Sequence, residues 1–78
     1  MEISYKVAQV IGDIEARAVD LPSPIQRGDF YKERQQDKFP SLSEVEAKRV
    51  RKYLEKRVTL TTAEVAVTAR AGQAWLRH

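Results

Sequence analysis

No cysteine occurs in the 78 residues, which excludes disulfide staples, thiolate nucleophiles and thiolate metal sites. Histidine is limited to His78, so no pair of ring nitrogens can hold a metal and no internal imidazole can act as a general base. Three glycines and three prolines are too few for a glycine-rich phosphate loop or a low-complexity tract. The carboxylate pairs Asp13 with Glu15 and Glu44 with Glu46 are two residues apart, which on a helix points them roughly 200° away from each other. The expectation is a non-enzyme with no cofactor, no metal and no small-molecule substrate. Long apolar runs are missing too, because 32% of the residues are charged. That predicts a soluble chain with no membrane span. The first residues lack a basic stretch leading into an apolar one, since Asp13, Glu15 and Arg17 interrupt the candidate, and a cytoplasmic location is expected.

What is present reads as one helical domain over residues 1–78. A core of this size supplies only about 3–5 kcal/mol of net stability, and the missing disulfides give weight to self-association or a protein partner. The net charge of +3 is unevenly spread. Residues 1–21 carry a net −2, residues 22–41 a net +1 and residues 42–78 a net +4. The chain is therefore polar from end to end, and its C-terminal half is suited to an acidic surface.

Residues 1–21 predict a first long helix, with Ile3, Val7, Val10, Ile14, Ala18 and Leu21 on one narrow stripe ended by Pro22 and Pro24. Tyr5 falls off that stripe. Residues 22–41 form a polar connector with a short helical turn near Asp29 to Gln36 and Phe30, Tyr31 and Phe39 as apolar anchors. Within it, Arg27-Gly28-Asp29 spells an integrin-binding tripeptide and is read here as a turn. Ser41 with Glu44 matches a capping box that opens a helix over residues 42–57, whose apolar side is Leu42, Val45, Val50, Tyr53 and Leu54. Thr61 with Glu64 matches another and opens a helix over residues 61–78. The fold class is all-α, a small three-helix arrangement of two long helices, a short central helical turn and a C-terminal helical hairpin. If the link Val58-Thr59-Leu60 stays helical, the hairpin becomes one long rod.

Six of the ten residues from Lys48 to Arg57 are basic. Such a row suits a phosphate backbone, with Lys48, Arg51, Lys52 and Lys56 as the nucleic-acid-binding candidates. The competing reading is a solvated face in which Glu44 pairs with Lys48, and Glu55 with Arg51 and Lys52. The run Leu60-Thr61-Thr62-Ala63-Glu64-Val65-Ala66, followed by Trp75-Leu76-Arg77, resembles parts of the helix-turn-helix of excisionase and MerR-type regulators. The resemblance covers about a quarter of the chain and implies a DNA-reading pair of helices. The interval between its two parts is about four residues too short and leaves no room for the turn, so the spacing favours continuous helix over that family.

The last helix carries small or apolar residues on two sides. One seam is Val65, Ala69, Gly72 and Leu76; the other is Ala63, Val67 and Ala74. A helix facing a single core needs one stripe, so the second implies a neighbour, and Val67, Arg70, Ala74 and Trp75 are the protein-binding candidates. The leading expectation is a non-catalytic interaction protein that regulates, inhibits or helps assemble a larger complex. It belongs by analogy with small basic phage and mobile-element accessory proteins. A basic DNA- or RNA-binding regulator and a structural subunit of a filament or virion are the two alternatives.

Overall fold

A computed structural model describes residues 4–76, and the side chains of residues 4–69. Ile3, the first member of the predicted stripe, lies outside the described residues. Three helices make up the fold: α1 Tyr5–Ala18, α2 Pro24–Gln35 and α3 Glu44–Leu76. Among the described residues there is no strand.

α1 starts where Ser4 accepts the Val7 N–H on its side-chain oxygen, at 3.1 Å, removing one of the orphan donors of the first turn. The predicted stripe becomes its buried face through Val7, Ile14 and Ala18, with Val10 half-buried beside them. The helix stops at Ala18, three residues before the expected boundary, and a turn follows in which Leu21 N–H donates to Ala18 O.

The connector is more regular than its polarity suggests. Instead of a short turn near Asp29, α2 runs through twelve residues from Pro24. Ser23 caps it by accepting the Gln26 N–H, and Pro24 takes the first helical position, where its missing N–H costs nothing. Pro24 is thus a helix starter, and the Arg27-Gly28-Asp29 tripeptide is helical and not a turn. Tyr31 is the one residue α2 buries, while Phe39 is buried in the following link with a positive φ of 48°. Its ring is held from above by the Arg51 guanidinium, 5.6 Å from the centroid. That contact and the core burial offset the cost of the left-handed backbone.

α3 begins at a capping box two residues later than predicted. Ser43 accepts the Glu46 N–H, and the Ser43 N–H donates to Glu46 Oε1 at 3.1 Å. Once started, the helix does not break. The expected hairpin between residues 42–57 and 61–78 is replaced by a single helix of 33 residues, the rod that a helical link implies. No glycine or proline interrupts the link, and the threonines that signalled a new start satisfy their hydroxyls on the preceding turn. Thr59 donates to Glu55 O, Thr62 to Val58 O, and Thr61 to Arg57 O and Val58 O. The continuous helix also removes the helix-turn-helix geometry.

The pairings fix the topology. Ser4 with Glu46 and Glu15 with Arg57 keep one offset of 42 residues, so α1 runs parallel to α3. Arg27 with Glu64, Tyr31 with Arg57 and Asp37 with Arg51 run the other way, so α2 is antiparallel to it. The core between them is Val7, Ile14, Ala18, Tyr31, Phe39, Ala47, Val50 and Leu54. Val45, expected on the apolar side of this segment, is instead 64% exposed because it lies on the far side of α3 from Val50 and Leu54. Gly28 brings α2 close to α3: a Cβ added there stands 3.1 Å from Thr61 Oγ1.

Candidate interaction surfaces

Lengths set the first surface. At 1.5 Å per residue α3 is about 50 Å long, in keeping with a long axis of 53 Å, while α1 and α2 reach only about 21 and 18 Å. α2 begins beside Glu64, and α1 ends short of the same level, so α3 projects beyond the three-helix body. The change shows in burial. Thr61 is buried and Val65 half-buried, but Ala66, Val67, Thr68 and Ala69 are all exposed. Val65 and Ala69 continue the core-facing side of α3 past the point where its partners stop, and Val67 continues the opposite side.

Of the six exposed large apolar side chains among the described residues, four lie at this same end, and Tyr5 and Val45 lie at the other. Val19 follows the end of α1, Ile25 lies in the first turn of α2, and Leu60 and Val67 belong to α3, all four more than half exposed. Ile25, Gly28, Thr61 and Val65, together with the charged Asp29 and Lys32, line a groove of about 160 Å³ where α2 meets α3. From Val58 to Ala69 the only charged residue is Glu64, and it is held by Arg27 Nη2 at 2.9 Å. Protein surfaces ordinarily carry interspersed charge at every few positions, so this stretch of α3 is more apolar than solubility favours. Of the predicted protein-binding residues, Val67 is on this surface at 65% exposure. Arg70, Ala74 and Trp75 lie on the helical path of α3, and their side chains lie outside the described ones. Val19, Ile25 and Leu60 were missed by sequence reasoning, although Val19, like Tyr5, falls off the first stripe and carries that signal.

The second surface is the outer side of the first half of α3. Lys48, Lys52 and Lys56 recur there at every fourth residue and are all exposed. The expected pairs of Glu44 with Lys48, and of Glu55 with Arg51 and Lys52, do not form: no carboxylate among the described residues is within ion-pair distance of these three ammonium groups. A carboxylate placed after its cation is the weaker order on a helix, and an exposed pair gains less than the rotamer freedom it gives up. Arg51 departs from the other candidates. Its Nη2 donates to Asp37 O at 2.9 Å, and it covers Phe39, which makes it a fastener of the link between α2 and α3.

Between the helices lies a polar cluster. Arg57 donates to the Tyr31 hydroxyl from Nε and Nη2, at 3.4 and 3.3 Å, stands over the Tyr31 ring, and meets Glu15 Oε2 at 3.6 Å. Glu15 Oε1 is enclosed without a hydrogen-bond partner. Burial, and after it Glu15, pushes the Tyr31 hydroxyl above its ordinary 10.0, and the same two causes raise Tyr53. Arg57 is raised chiefly by its bond to Tyr31. The cluster binds the three helices to one another, and apart from Glu15 Oε1 its groups face partners already in place.

At the start of α3, Glu46 accepts the Ser4 hydroxyl as well as the Ser43 N–H, and these two bonds, in that order, hold its carboxyl below the ordinary 4.5. A lowered folded value means stability present above 4.5 and lost as pH falls through the folded value. The raised tyrosines act oppositely: their contribution is complete below pH 10 and is lost as pH rises through their folded values. Urea midpoints are therefore expected to decline in both limbs. Glu46→Gln should flatten the acid limb and leave the alkaline one intact; an unchanged acid limb would show that Glu46 is not its source.

Among the described residues no group of His, Cys, Asp or Glu is placed to hold a metal ion, and no helix is long and apolar enough to cross a membrane. Comparison of the chain with protein-family models, with curated proteins and with solved structures found no match.

Proposed function

We propose that this is a non-catalytic interaction protein that regulates, inhibits or helps assemble a larger complex by docking the projecting end of α3 against an apolar helix of a protein partner. The observation that carries it is the gathering of Val19, Ile25, Leu60 and Val67 at one end of the body, around a helix that outruns both of its own partners. Burying an exposed apolar side chain of this size contributes about 1.5–3 kcal/mol, so a few of them suffice for a specific contact. The scarcity of charge from Val58 to Ala69 selects an apolar partner over an acidic or basic one. Val67 and Ala74, with Arg70 and Trp75 beside them, are the residues assigned to the contact.

Val67→Arg and Ala74→Arg test it. Both are expected to keep the circular dichroism and melting temperature of the parent within a few degrees, since Val67 is exposed and position 74 lies still further along α3 from the ends of α1 and α2. Each should reduce co-purification of the partner from the source cell, and any self-association seen by sedimentation, at least tenfold. Retention of the same proteins in the same amounts by parent and variants, with an unchanged sedimentation profile, overturns the proposal.

A further inference from the structure

The outer side of α3 opposite the core has an abrupt change of character along its length. From Leu60 to Ala69 it is apolar and small; before it, from Lys48 to Lys56, it is cationic. Lys48, Lys52 and Lys56 stand one helical turn apart over about 12 Å of rigid helix, exposed and unpaired. Lys38, in the link before α3, lines the same groove as Lys48 and Arg51, and Gln35, Lys48 and Lys52 line the next. Glu44 and Glu55 are the acidic residues of these two grooves, which leaves cations in excess. The rest of the chain shows what the alternative looks like. Arg27, Arg34, Arg51 and Arg57 all have carboxylate, carbonyl, hydroxyl or aromatic partners, whereas this lysine row has none among the described residues.

From this we infer a second binding site, independent of the projecting end: the Lys48, Lys52 and Lys56 row, flanked by Lys38, docks on the phosphate backbone of double-stranded nucleic acid. A straight row of mobile ammonium groups suits a ridge of phosphates, which rewards each neutralised charge by releasing counterions and requires no fixed geometry. Bases are not read. The row offers no exposed aromatic ring for stacking on single strands, because Phe39 is buried beneath Arg51 and Tyr53 is half-buried. Of the neighbouring groups that could pair with base edges, Arg51 is held on Asp37 O and over Phe39, and the row itself is made of lysines alone. The contact is therefore indifferent to sequence and positions the body on a duplex, leaving the apolar end of α3 free for protein.

Fluorescence anisotropy of the whole chain with a labelled mixed-sequence 20-base-pair duplex tests this. Three to five phosphate contacts predict a fall in affinity of roughly 40- to 500-fold between 50 and 200 mM salt. Lys48→Glu with Lys52→Glu is expected to weaken binding at 50 mM salt by at least tenfold, equally for unrelated sequences, and to lower the salt slope by about two. Both sites are exposed, so the variant should melt as the parent does. Val67→Arg should bind the duplex normally, which separates this site from the one proposed above. Absence of binding at 50 mM salt, binding untouched by the double substitution, or tighter binding to poly-glutamate than to the duplex each overturns it; the last would identify an acidic protein as the ligand.

Discussion

Tyr31→Ala is expected to abolish cooperative folding at 25 °C. Tyr31 is 1% exposed and is the sole fully buried residue of α2, so its ring is the centre of that helix's packing, with Phe30, the Gly28–Thr61 approach and the Arg27–Glu64 pair around it. Truncating a buried aromatic costs about 3–5 kcal/mol, which is about the entire net stability of a domain of this size. The loss is compounded because the Arg57 guanidinium loses both the ring it covers and the hydroxyl it bonds, and Glu15 remains with one enclosed oxygen unpaired. Tyr31→Phe separates the two contributions. It keeps the ring and removes only the hydroxyl, so a loss of about 0.5–1.5 kcal/mol is expected. Urea titration followed by far-ultraviolet circular dichroism measures both. A Tyr31→Ala transition within about 1 kcal/mol of the parent would show that α2 is held by something other than this ring.

Gly28→Val is the second large effect, at an expected loss of about 2–3 kcal/mol. The added Cβ meets Thr61 Oγ1 at 3.1 Å and Thr61 Cβ at 3.6 Å. Thr61 has little room to yield, being 2% exposed and tied by its hydroxyl to Arg57 O and Val58 O in the middle of a continuous helix. The two γ-methyls of valine then wedge α2 away from α3. Gly12→Ala is the control. Beyond the helix's own backbone no atom lies within 4 Å of a Cβ at that position, so the helix gains about 0.5–1 kcal/mol from the lower entropy of its unfolded state. Replacing Thr61 with Ala in the Gly28→Val background should restore part of the loss, and the non-additivity measures the contact itself. Additive losses from the two sites would show that the helices do not meet there.

How much of the site could be read in advance varies with the element. The stripe of α1 was legible because Val7, Ile14 and Ala18 repeat at helical spacing, and one stripe had one core to face. The start of α3 was not. The run Ser41-Leu42-Ser43-Glu44-Val45-Glu46 holds two overlapping capping boxes of equal local quality, and the later one wins because Glu46 also accepts the Ser4 hydroxyl from α1. Thr61 with Glu64 looked like a third box for a related reason. In the structure Thr61 is buried against Gly28 and Glu64 reaches Arg27, so both members of the motif serve α2. The lysine row was visible in the sequence, but the carboxylates at helical spacing suggested neutral pairs that the side chains do not form.

Periodicity and composition alone determined that the chain is helical and that its net positive charge lies toward the C-terminal half. Those properties depend on residues near each other in sequence, whose hydration and helical spacing are settled locally. Only the tertiary structure decided that α3 is one rod, that α2 is a full helix, and that the body ends near Val65. Each of those outcomes turns on contacts between residues far apart in the chain: Ser4 with Glu46, Gly28 with Thr61, Arg27 with Glu64. Where two local signals are nearly equal in energy, a single long-range hydrogen bond or close approach is enough to choose between them.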